Sequence, residues 1–354
     1  MRRAFIVLAS CIALAACERS FDISKEVGES TVWMSFIPSN DYDTTFFILQ
    51  ATTPLVGVAE PVLTRDESVE VKVNGQPLSL EKNERSIPDR QQFYATDHVF
   101  APGDRVEAVA TVPGTGTVSA SCEVPQPFPT YTWTISRVPR PSSSVSFTMY
   151  VDIDYTDPGD GGYYGVVLMQ YWECESQWED RDPETGEKYW GEITHEEHTG
   201  ALTPWAMSDS EALSASAEEP VTVMPRYFNY LNTRTDNQRR VQIWSDKPGS
   251  APAGSTRRIT FASRCNESPA HVDYDRGEYH GWADYRYKYR LVLYRFSESY
   301  YNYLKARYNS SYGDFAEMGL SPASFVYTNV KGGAGVCGAY TVLSSDWVTL
   351  PPAE

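Results

Sequence analysis

Thirteen residues near the C-terminus, DYRYKYRLVLYRF (284–296), repeat with a period of two. Tyr285, Tyr287, Tyr289, Leu291 and Leu293 fall on one side, and Arg286, Lys288 and Arg290 begin the other. Successive side chains of an extended strand point to opposite faces, whereas a helix repeats about every 3.6 residues. The segment therefore reads as a half-exposed strand with an amphipathic tyrosine face. The same rhythm recurs along most of the chain, so the fold class is all-β in the main.

From about Ser30 the alternation is clear in TVWMSFI (31–37) and TTFFILQA (44–51). In VEVKVNGQPLSL (69–80), Val69, Val71 and Val73 alternate with charge and Leu78 and Leu80 resume the pattern. Asn74-Gly75 lies between them, and both residues tolerate the positive φ that a two-residue hairpin needs. VFAPGDRVEAVATV (99–112) turns at Pro102-Gly103-Asp104, and TVSASCEV (117–124) reads as a last strand. This spacing predicts an immunoglobulin-like β-sandwich over residues 29–126. Pro125 to Pro129 reads as a linker.

Residues 127–354 read as a larger β-rich domain with one short C-terminal helix. YTWTI (131–135), SVSFTMYVDIDY (144–155), RRVQIWSD (239–246) and TRRITFASRC (256–265) alternate, and DPGDGG (157–162) is a turn. YYGVVLMQYWEC (163–174) has a continuous apolar middle, which predicts burial on both faces. Ser297-Glu298-Ser299 offers a helix cap. Tyr300, Tyr301, Leu304 and Tyr308 then recur at helical spacing as one apolar stripe.

The N-terminus reads MRRAFIVLASCIALAACERS. A short basic region precedes the apolar run Ala4–Ala16, too short to cross a bilayer as a helix, which needs about 20 residues. It has the size of a secretory signal core. Leu14-Ala15-Ala16-Cys17 fits a lipobox, so residues 1–16 read as a lipoprotein signal, Cys17 as the lipidated residue and 17–28 as a tether. Leu8-Ala9-Ser10-Cys11 also fits, but cleavage there would leave greasy residues at the mature start. More than one acyl chain gives stable membrane attachment where a single chain is marginal.

The formal charge of −17 argues against nucleic acid, since phosphate binding relies on Lys and Arg displacing counterions. Cys122, Cys174, Cys265 and Cys337 are disulfide candidates in an exported chain, and four cysteines allow three pairings. None sits in a CxxC, so no zinc cluster is expected.

GAGVCG (333–338) fits the G-x-G-x-x-G spacing of a dinucleotide loop. That loop needs a βαβ unit and an acid about 20 residues later. Only AYTVLSSDWVTLPPAE follows, a strand ending in prolines, so no cofactor is expected. Backbone geometry is the better reading: glycines allow a tight turn beside the preceding helix and close approach of neighbouring backbone.

FSESYYNYLKARY (296–308) and LSPASFVYTNVKGGAGVCGAY (320–340) resemble the C-terminal signature of a family of Bacteroidota lipoproteins catalogued as domain of unknown function 4249. Ser297, Tyr301, Tyr303, Pro322, Asn329, Gly333, Gly335 and Gly338 occupy comparable places. Asp157-Pro158 with Tyr163-Tyr164, and the lipobox, fit as well. Cys337 departs from the pattern, standing where an aromatic is usual, and points to a disulfide peculiar to this chain. The resemblance implies an outer-membrane lipoprotein often encoded beside TonB-dependent receptors, and no established activity.

Three constellations remain. His195-Glu196-Glu197-His198 has the wrong spacing for a zinc peptidase helix and reads as a solvated charged turn. Asp152, Asp154, Asp157 and Asp160 lack the glycine of a calcium loop and read as a strand and a turn. The segment 171–198 reads as two strands turning near Asp182-Pro183 and Thr185-Gly186. It carries Trp172, Trp178, Tyr189 and Trp190 among acids, as a surface for a glycan or peptide ligand or as a cross-strand cluster. No catalytic residue or metal ligand stands out. The expected role is a lipid-anchored envelope binding or accessory protein beside a TonB-dependent receptor. An envelope hydrolase and a surface adhesin are the alternatives.

Overall fold

The structure is a computed structural model that describes residues 32–351 apart from 42–43, 52–65, 84–85, 87–90, 141–144, 205–220, 224–240, 247–251, 277–278 and 312–326. The signal, Cys17, the tether and Pro322 lie outside the described residues. The described chain is all-β with one helix, as the period-two pattern predicts.

The N-terminal strands are β1 (Val32–Phe36), β2 (Thr45–Ala51), β3 (Ser68–Val73), β4 (Gln76–Leu78), β5 (Glu81–Lys82), β6 (Gln91–Thr96), β7 (Arg105–Val112) and β8 (Gly116–Glu123). Asn74 and Gly75 have φ of 52° and 78°, so the β3–β4 hairpin turns where their positive-φ tolerance places it. One sheet has β1, β2, β6 and β5 in that order, and the other β4, β3, β7 and β8. Their facing sides enclose Met34, Phe36, Phe47, Leu49, Val106 and Ala108 in one core.

The larger half follows with β9 (Tyr131–Pro139), β10 (Ser146–Thr156), β11 (Tyr163–Arg181), β12 (Lys188–Trp190), β13 (Thr194–Ala201), β14 (Thr203–Pro204), β15 (Val221–Val223), β16 (Val241–Ser245), β17 (Thr256–Asn266), β18 (His271–Arg276) and β19 (Tyr279–Phe296). Helix α1 (Glu298–Ser311) precedes β20 (Ala334–Cys337) and β21 (Tyr340–Ser344). A four-stranded sheet orders β14, β17, β10 and β9. An eight-stranded sheet is built around the antiparallel pair β11–β19.

That central pair is covered on both faces. Tyr164, Val166 and Leu168 join Tyr289, Leu291 and Leu293 against the four-stranded sheet. Val167 and Met169 join Val292, Tyr294 and Phe296 beneath α1. The uninterrupted apolar run in β11 is thereby explained. Ser297 caps α1, its hydroxyl accepting from the Tyr300 amide at 3.3 Å. Tyr300, Tyr301 and Leu304 are buried, as the helical stripe predicts, while the Tyr308 side chain lies outside the described residues.

The glycine motif completes the first sheet. β20 runs parallel to β1, with Trp33 opposite Ala334 and Phe36 opposite Cys337. Gly335 has φ +117°, and a Cβ there would lie 1.9 Å from the Met34 carbonyl oxygen. At Gly338 a Cβ would lie 2.6 Å from Tyr300 Cβ of the helix. Glycine is needed so that two backbones and a helix can touch. Gly335→Ala should therefore cost about 3 kcal/mol or more, as a strained backbone plus a clash. Gly186→Ala, at positive φ in open space, should cost about 1 kcal/mol. Urea unfolding of the two variants checks this, and equal losses would contradict it.

Candidate functional site

Beyond the end of the four-stranded sheet, β11 and β19 continue as an arm, joined by β12, β13 and β18. A pocket of about 570 Å³ opens where the sandwich stops and the arm begins. Arg137 and Phe147 from β9 and β10, Glu267 and Ser268 after β17, and Tyr285, Tyr287 and Tyr289 from β19 line it.

A buried polar cluster closes its floor. Glu267 is 5% exposed, and its two carboxylate oxygens accept separately from Arg137 and from the Tyr289 hydroxyl. Gln170 donates to Tyr289 Oη at 3.0 Å and to Cys265 Sγ at 3.0 Å. Arg137 also donates to the Pro351 carbonyl and lies 5.2 Å over the Phe147 ring. A buried charge is tolerable only when paired and hydrogen-bonded, and this carboxylate is both. Burial pushes the Cys265 thiol up to about 12 and raises the Tyr289 and Tyr287 hydroxyls above the usual phenol value. These groups stay protonated at neutral pH and offer hydrogen bonds and ring surface rather than nucleophiles.

On the wall, the Tyr285 and Tyr287 rings are near-parallel, 12° apart with centroids at 6.3 Å. Tyr287 Oη is fixed by the Ser268 amide, which donates to it at 2.8 Å. The register then carries this face outward. Trp172 lies opposite Tyr287, Cys174 opposite Tyr285 and Trp178 opposite Gly281. Directly opposed residues project to the same side of a sheet. Trp172 sits 6.5 Å from Tyr285 and 5.9 Å from His198. Trp178 lies over Gly281 and 4.9 Å from Tyr274. Asp180 opposes Tyr189, so that ring belongs to the same side. One aromatic face thus runs from Tyr289 in the pocket to Trp178, roughly 26 Å for eight strand residues, and on to Tyr189.

Of the four aromatics singled out in the sequence, Trp172, Trp178 and Tyr189 share this face. Trp190 opposes Glu179 and projects to the other side, 53% exposed. The turn at Asp182–Glu187 falls where the sequence places it, with Gly186 donating to the Asp182 carbonyl. The His195–His198 segment is an exposed strand rather than a turn, because it pairs with β11. The alternation puts the two histidines on opposite sides of the sheet, so they do not converge on one ion. Asp154, Asp157 and Asp160 pair with Arg258, Arg257 and Arg295, and Asp152 accepts from Thr260. Cys174 is buried within the arm on β11, Cys265 lies against Gln170 and Tyr289 beneath the pocket, and Cys122 and Cys337 meet in the N-terminal sandwich.

Sequence reasoning found the tyrosine face but missed its partners. Arg137 and Glu267 are 130 positions apart, and nothing local marks either. The fold and site define a two-sandwich β-protein with a pocket leading onto an aromatic arm. The chain belongs to the family described as Domain of unknown function (DUF4249), whose sequence profile matches residues 19–346. The comparison with curated proteins finds no match.

Arg137→Ala should destabilise the protein by roughly 3–5 kcal/mol, because Glu267 would be left charged and buried without its cation. Glu267→Gln should cost less, and denaturant unfolding of both variants decides the order. On the arm's outer side, His271 Nδ1 lies 2.6 Å from Asp284 and Nε2 lies 3.1 Å from Asp273. The hydrogen bond to Asp284, then that to Asp273, holds this imidazole above the ordinary value of 6.5. Its contribution to stability is present below the unfolded value and disappears as pH rises through the folded one. An NMR titration should place His271 above free histidine, and Asp284→Asn should bring it down. A wild-type value at or below free histidine would contradict the ion pair.

Proposed function

We propose that this chain is a lipid-anchored binding protein of the outer membrane, an accessory subunit that works with a TonB-dependent receptor and takes a glycan. The observation that carries the binding role is the continuous aromatic face opening into the pocket. A ligand site is concave, largely apolar and fitted with a few placed polar groups, and this pocket has that make-up. Parallel tyrosine rings suit the flat C–H faces of a sugar. The hydroxyls of a sugar suit the polar rim, including Ser268 and Thr349. The length of the face matches a chain of units better than a single small molecule. Support for the anchor is the lipobox ending at Cys17, and support for the receptor is the resemblance to lipoproteins encoded beside such receptors.

Binding of the mature chain to an array of oligosaccharides and polysaccharides, followed by calorimetry, tests the ligand class. Tyr287→Ala and Trp178→Ala should each weaken binding about tenfold, or ~1.4 kcal/mol. Trp190→Ala, on the opposite side, should leave it unchanged. Binding of extended peptides in place of glycans would replace the ligand class. A Trp190→Ala loss as large as that of Trp178→Ala would remove the shared face from the explanation. Purification from outer membrane in mild detergent should bring down a receptor in stoichiometric amount, which an unrelated lipoprotein does not.

A further inference from the structure

Cys122 ends the second sheet of the N-terminal sandwich on β8, and Cys337 lies on β20 of the first. Their sulfurs are 3.5 Å apart although the residues are 215 positions apart. Cys337 is fully buried, and Cys122 is partly exposed. A covalent S–S bond is about 2.05 Å, so the two sulfurs need to approach by about 1.5 Å more.

The backbones are held for it. Asn329 donates to the Cys337 carbonyl at 2.7 Å and accepts from the Cys337 amide at 2.9 Å. The same side chain donates to the Ser121 carbonyl, next to Cys122, at 3.4 Å. Ser119 on β8 and Lys331 exchange a pair of backbone hydrogen bonds at 3.0 and 2.8 Å. The segment leading into β20 is therefore tied to β8 just before Cys122, which holds the two thiols beside each other.

The other two cysteines are placed differently. Cys265 contacts Gln170 and Tyr289, while Cys174 opposes Tyr285. Four strand residues separate those positions, roughly 13 Å at the rise of a β-strand. That distance is beyond the reach of a disulfide.

We propose that Cys122 and Cys337 form a disulfide that staples the two sheets of the N-terminal sandwich, and that Cys174 and Cys265 remain thiols. The oxidant is a disulfide-bearing donor, an oxidised dithiol protein in the exporting compartment or glutathione disulfide in vitro. The thiolate of Cys122, the less buried residue of the two, attacks one sulfur of the donor, breaks the donor's S–S bond, releases its other sulfur as a thiol and leaves a mixed disulfide. The Cys337 sulfur then attacks Cys122 Sγ and expels the donor sulfur still bound to it as a second thiol. Each thiol gives up its hydrogen, one S–S bond forms, and two protons and two electrons reduce the donor's disulfide to two thiols. Burial of Cys337 protects the finished bond. The proposal does not rest on the pocket or its ligand.

The test is peptide mapping of the full chain, exported and then incubated with glutathione disulfide. Free thiols are alkylated under denaturing, non-reducing conditions before digestion. The expected result is one cross-linked peptide pair containing Cys122 and Cys337, lighter by two hydrogens than its reduced parts, with Cys174 and Cys265 alkylated. Alkylation of both Cys122 and Cys337 after oxidation would overturn the proposal, as would a cross-link to either other cysteine. Thermal unfolding gives a second reading. Reductant should lower the melting temperature of the wild-type chain and leave Cys122→Ser unmoved. An equal drop in that variant would overturn it as well.

Discussion

The unbroken register between β11 and β19, from Tyr163 opposite Phe296 to Trp178 opposite Gly281, decides what each face of the larger half contains. Side chains alternate strictly along such a pair, and a slip of one residue would exchange its two faces. With this register, the inner side presents Tyr164, Val166, Leu168, Leu291 and Leu293 to the four-stranded sheet. The outer side gives Val167, Met169, Tyr294 and Phe296 to the helix layer. Both cores and the arm are extensions of the same ladder.

The pocket follows from a mismatch of length. β10 begins at Ser146 and β17 ends at Asn266, while β11 and β19 run on. Where the facing sheet ends, the inner side loses its cover. The residues change there from aliphatic to tyrosine and tryptophan, which combine ring surface with a polar group. The Arg137–Glu267 pair, tied to Tyr289 and Gln170, sits at this seam. It finishes the core with satisfied polar groups and leaves the tyrosine wall open above it.

Local patterns in the sequence carried the fold class well. Alternation named most strands, Asn74-Gly75 its hairpin and Ser297 its helix cap, because each depends on neighbours a few residues away. The tyrosine face of β19 was visible for the same reason. The rest was hidden by distance along the chain. Glu267 meets Arg137 only through the pairing of β10 with both β9 and β17. Trp190 looked equivalent to Trp178 until the turn at Asp182–Glu187 fixed the register and sent it to the other side. His195 and His198 read as a turn because charge masked a strand whose pairing partner supplies the order. The glycines of 333–338 signalled close backbone approach, but not that the neighbour was Met34, at the other end of the chain.

That neighbour sets an order of events. β1 is made some three hundred residues before its parallel partner β20, with Trp33 opposite Ala334. Domains generally fold from the N-terminus as the chain emerges, and contacts between distant positions close late. The first sheet must therefore wait with one edge of β1 unpaired while some three hundred residues are added. During that wait the exposed edge is a template for any passing strand. A chain built this way needs either rapid completion or a holding factor on its leading half.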